Sequence, residues 1–125
     1  MNVVDSSGWL EYFASGINAS FFAPVVKDTD TLVVPTVCMY EVFKRLLVER
    51  GEEAALQAIG IMSLGMISEL TREIAVNAAY TSFEFGTAMA DSIILATTRS
   101  YKAALWTQDA DFAGMSGVQY IEKKR

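Results

Sequence analysis

Five short apolar runs limit what this chain can fold into. They are Asn2–Val4, Leu32–Val34, Gly65–Ile67, Ala104–Trp106 and Val118–Ile121. Each is too short for a buried helix, and the first four are separated by stretches long enough for two helices apiece. An apolar run without polar alternation reads as a strand buried on both faces, and strands that alternate with helices pair in parallel. The expected fold is therefore α/β: one short parallel sheet of four to five strands, flanked by helices on both faces. No repeat, linker or low-complexity tract interrupts the sequence, so a single domain over 1–125 is expected.

Helix signals fill the intervals. Ser6 to Phe13 reads as a helix with Trp9, Leu10 and Phe13 on one side, broken by Gly16 and Asn18. Ala19 to Lys27 follows, with Pro24 forcing an irregularity unless it falls in the first turn. Thr36 suits an N-cap for a helix from Val37 to Arg50, stopped by Gly51, in which Tyr40, Phe43 and Leu47 share a side. Glu53–Ile61 is a further helix. Thr71 caps one that runs to about Phe85 and is ended by Gly86, and Met89–Tyr101 is the last. Met62, Met66, Phe83, Phe85 and Trp106 are expected in the core, and Cys38 as a small buried hydrophobe.

Composition removes several chemistries. The chain has 125 residues, 52% of them hydrophobic, so it can bury a core and disorder is not expected. It contains no histidine and one cysteine, which excludes His-based general bases, triads and Cys/His zinc sites. Any metal must be held by oxygen, which favours Mg²⁺ or Mn²⁺. The single cysteine cannot form an internal disulfide and suits a reducing cytoplasm. With a strand-like run already at residue 2, no signal peptide is expected, and no charge-free stretch reads as a membrane span. The net charge of −5 argues against a general nucleic-acid binder but not against a nuclease, because clustered site carboxylates inflate the negative count. Basic residues cluster at Lys44-Arg45, Arg99 to Lys102 and Lys123-Lys124-Arg125, as solvated helix ends and a tail would.

Four acids stand where carboxylates are costly. Asp5 closes the first apolar run. Glu41 interrupts Val37–Phe43, Asp91 lies within Ala88–Ala96, and Asp109 follows Ala104-Leu105-Trp106-Thr107. A carboxylate in such a setting is paired, hydrogen-bonded, metal-bound or neutral. Each has a bland reading. Asp5 suits an N-cap, Glu41 an ion pair with Arg45 four residues on, Asp91 a helix-dipole position, and Asp109 a turn, with Asp111 in its place or beside it. Ser6, Ser7 and Thr107 suit turn or cap hydroxyls. Jointly, however, the four acids converge on the carboxyl ends of the strands, where sites form in parallel sheets. A shared divalent cation would satisfy all four at once and points to chemistry on a phosphodiester.

The segments Val3-Val4-Asp5-Ser6-Ser7, Pro35–Val42 around Glu41, Met89–Thr97 around Asp91, and Trp106-Thr107-Gln108-Asp109-Ala110-Asp111-Phe112 together resemble the PIN-domain ribonucleases, and specifically VapC-type toxins. The resemblance implies a Mg²⁺- or Mn²⁺-dependent endoribonuclease whose metal is held by Asp5, Glu41, Asp91 and Asp109, with Ser6, Thr107 and Asp111 in support. It further implies an RNA substrate, a cognate antitoxin, a homodimer and a cytoplasmic location. The antitoxin is expected to place an Arg among the acids and to dock its apolar anchors near Phe21, Phe22 and Val25 or near Phe43 and Leu47. Three alternatives remain. A PIN-like nuclease acting on DNA, or in RNA processing outside a toxin–antitoxin pair, is one. A phosphoacceptor receiver domain is disfavoured because no acid ends the third strand and Ser6-Ser7 follows Asp5. A non-catalytic acidic α/β binding module would show no metal-dependent activity.

Overall fold

The computed structural model describes residues 1–124. Its strands are β1 (Asn2–Val4), β2 (Leu32–Pro35), β3 (Met66–Ser68), β4 (Ala104–Thr107) and β5 (Val118–Tyr120). They form one sheet in the order β3-β2-β1-β4-β5, with every pairing parallel. β1 lies at the centre, with Val3 opposite Val33 on one side and Leu105 on the other. Val3, Val4, Val33, Val34 and Leu105 are fully buried. That explains why the runs carry no polar alternation: helices cover both faces.

Six helices do the covering: α1 (Ser6–Phe13), α2 (Ala19–Lys27), α3 (Thr36–Arg50), α4 (Glu52–Met62), α5 (Arg72–Phe85) and α6 (Met89–Ser100). α3 turns Cys38, Val42 and Leu46 inward at four-residue spacing, and α4 adds Ala55, Ala58 and Met62. α6 is buried along Ser92–Thr98, sandwiched by α5 and the rest of the fold. Its buried hydroxyls are satisfied within the helix: Thr97 donates to the Ile93 carbonyl and Thr98 to that of Ile94, both at 2.8 Å. Gly8 is required where α1 crosses β1, because a Cβ there would meet Phe22 Cε1 at 2.6 Å and Val4 Cγ1 at 2.7 Å. Gly86 closes α5 with φ +71°, the left-handed stop expected of it.

The chain moves outward from β1 through β2 to β3, then returns to β4 on the other side of β1 and moves out to β5. The order therefore reverses between β1 and β4, and the crevice beyond their carboxyl ends is where such a sheet opens to ligands. Asp5 follows β1 and Asp109 lies two residues beyond β4.

Several expectations fail in instructive ways. Thr36 is not the cap of α3. Pro35 occupies that position with extended backbone and no side-chain cap bond, because β2 runs straight into the helix. Thr71 does cap α5, accepting from the Ile74 amide. Pro24 sits inside α2 rather than in its first turn, and the helix tolerates it because Ser20, whose carbonyl loses its partner, faces solvent. Met62 is buried and Trp106 packs on Phe21 with ring centroids 5.1 Å apart, but Met66, Phe83 and Phe85 are exposed and not core. β3 is an edge strand, and α5 turns only Ile74, Ala78 and Thr81 inward. Phe22 and Val25 are core, leaving no free apolar groove on that face of α2, whereas Tyr40 and Leu47 on α3 are exposed.

Candidate metal centre

Asp5 is tied down from three directions. Its Oδ1 accepts from the Gly8 amide at 2.9 Å and from Ser7 Oγ at 2.8 Å, and its Oδ2 accepts from Thr107 Oγ1 at 2.7 Å. Asp5 is thus the N-cap of α1, as its bland reading holds, and it lies buried at the carboxyl end of β1. Burial pushes its carboxyl up to about 6 from 3.8; the three donors oppose the rise and the Asp109 charge adds to it. Thr107, fully buried at the end of β4, joins the two strand ends: it donates to Asp5 and accepts the Asp109 amide at 2.9 Å.

Asp109 caps the short 3₁₀ turn Ala110–Phe112, accepting from the Asp111 amide at 2.9 Å. The turn residue is again one of the candidate site residues. Asp91 stands in the first turn of α6, half-buried. Its carboxyl also rises to about 6, first from desolvation and then from the charges of Asp109, Glu41, Asp5 and Asp111. Oxygens of Asp91, Asp109 and Asp111 lie within 4.8 Å of one another.

Glu41 projects from the second turn of α3 towards α1, not towards Arg45. Ser6 Oγ donates to its Oε1 at 2.6 Å, and Arg45 pairs with Glu49 instead. That Arg45–Glu49 contact is the only ion pair among the described residues, so no basic side chain neutralises the acids. The structure therefore gathers Asp91, Asp109 and Asp111 most tightly, with Asp5 beside them on Thr107 and Glu41 across from Ser6. Cys38 lies beneath, its thiol directed at the Val4 carbonyl and held neutral by complete burial, which rules it out as a nucleophile.

Unforeseen was the buried pair behind the crevice. Asn18 donates to Gln108 Oε1 and to the Glu122 carbonyl, both at 3.0 Å, and so holds the segment after β4 and the stretch after β5 against the turn between α1 and α2. Asn18 reads in sequence only as a helix breaker, and nothing local marks its partner.

A PIN domain model matches residues 3–118. The chain belongs to the PIN domain family. No curated protein matches the sequence. Among solved structures, this PIN domain is similar to a toxin–antitoxin complex from Klebsiella pneumoniae, with TM-score 0.80, 22% identity, and 95% of this chain and 96% of the other covered. It is similar to VapC20 of Mycobacterium tuberculosis, described as a sarcin–ricin-loop-cleaving toxin, with TM-score 0.79, 17% identity, and coverage of 94% and 97%. It is also similar to VapBC2 of Rickettsia felis bound to a promoter DNA fragment, with TM-score 0.74, 11% identity, and 97% of each chain covered. At these identities the likeness speaks to the fold, whose described helices include none long and apolar enough to cross a membrane.

Proposed function

We propose that this PIN domain is a Mg²⁺- or Mn²⁺-dependent endoribonuclease, the toxin of a VapBC-type toxin–antitoxin pair acting in the cytoplasm. The observation that carries the reading is the convergence of the Asp91, Asp109 and Asp111 oxygens without a neutralising cation among the described residues. Three like charges at that spacing are mutually unfavourable, and hard carboxylate oxygens suit a small divalent ion. The donor set therefore fits the metal. Asp91, Asp109 and Asp111 would hold it, with Asp5 and Glu41 completing the acidic pocket. What the ion supplies when bound is a more acidic water and positive charge against the scissile phosphate.

The chain's own residues supply the rest. Thr107 orients Asp5 and fixes the Asp109 backbone with one hydroxyl. Ser6 holds Glu41 through Oε1, which leaves Oε2 to accept a proton from water or to orient one. The role of Arg45 as a partner to Glu41 is excluded by geometry, so Glu41 remains available to the site.

The similar proteins described as toxins and toxin–antitoxin complexes support RNA as substrate and an antitoxin as partner. The antitoxin would close the site with an Arg among the carboxylates, which it can meet bidentately. A second copy of the chain would cover the exposed apolar residues around α5, including Tyr80 and Phe83. The test is cleavage of structured RNAs by purified protein in Mg²⁺, Mn²⁺ or EDTA. Metal-dependent cleavage is expected, and cleavage undiminished by EDTA overturns the reading. Co-expression with the product of an adjacent small gene should relieve toxicity and yield a complex. If growth is equal with and without it and nothing co-purifies, the toxin reading fails while the nuclease reading stands.

A further inference from the structure

Beside the acid cluster lies an open cavity of about 430 Å³, lined by Ser6, Tyr40, Glu41, Lys44 and Arg45 among others. Its volume falls within the roughly 300–1,000 Å³ typical of small-ligand sites. One wall is the Ser6–Glu41 hydrogen bond, which is part of the candidate metal centre. Beside it is Tyr40, 56% exposed on an otherwise amphipathic helix, with Lys44 Nζ 5.8 Å from its ring centroid. Arg45 is already occupied by Glu49, so Lys44 is the cation free to act here.

An exposed aromatic ring, an ammonium over it and a carboxylate site at the next residue are the components of a nucleotide subsite. Bases of single-stranded nucleic acid stack on aromatic side chains, while nearby cations meet the phosphates. We infer that Tyr40 and Lys44 form a stacking subsite for one unpaired RNA nucleotide next to the scissile phosphate. This deepens, and rests on, the ribonuclease reading. The base lies on Tyr40, its phosphate meets Lys44, and the chain continues past Glu41 into the acid cluster. Such a subsite also addresses the charge problem. A chain of net charge −5 cannot draw RNA by long-range attraction, so stacking supplies an anchor that does not depend on it. Recognition should be tolerant of base identity, because every base presents a π-face.

The test uses full-length protein carrying Asp91→Asn, which leaves RNA uncut, and a labelled single-stranded RNA oligonucleotide followed by fluorescence anisotropy. Adding Tyr40→Ala should weaken binding roughly 5- to 150-fold, the equivalent of the ~1–3 kcal/mol that stacking contributes per base. Tyr40→Phe should bind within about twofold of its parent, because the ring is retained. Lys44→Gln should flatten the salt dependence by about one phosphate, a change of roughly 0.7 in the log–log slope. On the otherwise wild-type enzyme, Tyr40→Ala should raise KM and spare kcat, the pattern of lost uniform binding. Tyr40→Ala that binds RNA as tightly as its parent overturns the subsite, even if metal-dependent cleavage stands. Tyr40-dependent RNA binding without any metal-dependent cleavage keeps the subsite and refutes the nuclease. If Tyr40→Ala instead releases a co-purifying protein and leaves RNA binding intact, the cavity belongs to a protein partner and the inference falls.

Discussion

Asp91→Asn should abolish cleavage and make the metal-free protein more stable. Asparagine keeps the shape of the side chain and removes only the charge. In the folded protein the Asp91 carboxyl titrates near 6, against 3.8 for the free group, because burial and four neighbouring acids disfavour its ionised form. A shift of that size corresponds to ~3 kcal/mol at neutral pH, from ~1.36 kcal/mol per unit. Asp91 is only half-buried, so solvent screening brings this down to about 1–1.5 kcal/mol. For a chain of this length that is a rise in Tm of roughly 3–7 °C.

Thermal melts of both proteins in EDTA, at pH 7 and pH 4, test the magnitude. The gain should be present at pH 7 and disappear at pH 4, where the wild-type carboxyl is protonated in the folded state. Added Mg²⁺ supplies the second half of the test. Ligand at a hundred times its Kd stabilises by ~2.7 kcal/mol, so wild-type Tm should climb with metal while that of the variant stays flat. A variant that melts lower than wild type at pH 7, or that keeps the full metal-induced rise, refutes the assignment of Asp91 as an uncompensated metal-binding charge.

Further outcomes follow from the same geometry. The raised carboxyls of Asp5 and Asp91 favour the folded state while protonated, so metal-free stability should be fullest below pH 3.8 on their account and fall as pH rises through about 6. Melts in EDTA across that window should show the fall, and cleavage at fixed metal should decline below pH 6. Thr107→Val removes the donor to Asp5 and the acceptor of the Asp109 amide, so stability should drop by ~1–3 kcal/mol and activity with it; urea titration and initial rates measure both. Phe83→Asp, at a side chain 91% exposed, should leave the monomer folded but convert a dimer in gel filtration to a monomer. An unchanged elution volume would refute the proposal that copies of the chain meet at this face.

The centre of the sheet was legible because β1 and β2 are buried on both faces. A run such as Val33-Val34 has no polar residue to confuse its type, and its ends fall where the apolar run ends. The acids were legible for the complementary reason, since Asp5 and Asp109 follow apolar runs and Glu41 and Asp91 interrupt them. Side-chain partnership was not. An i,i+4 pairing of Glu41 with Arg45 is the locally favoured orientation, yet the tertiary contact with Ser6, 35 residues away, takes Glu41, and Arg45 turns to Glu49. The Asn18–Gln108 bond spans 90 residues and leaves no periodic trace. Met66, Phe83 and Phe85 were misplaced in the core because apolarity reports a preference for burial, while the covering surface is decided by which helix face the fold turns inward.

The acids also differ in what the fold asks of them. Asp5 caps α1, an interaction worth ~0.5–2 kcal/mol, and its oxygens are shared among three protein donors. Asp109 orders the turn that presents Asp111. Removing either disturbs backbone as well as charge, so loss of activity in those variants would not separate chemistry from folding. Asp91 accepts no hydrogen bond from the described residues, and its carboxyl is raised first by burial and then by the neighbouring acids. Structural and site roles coincide at the strand ends because an oxygen that can order a helix or turn is already positioned, at no further conformational cost, to face the crevice those strands create. Asp91 reaches the same crevice from a helix, and it is there that charge can be removed while the scaffold stays in place.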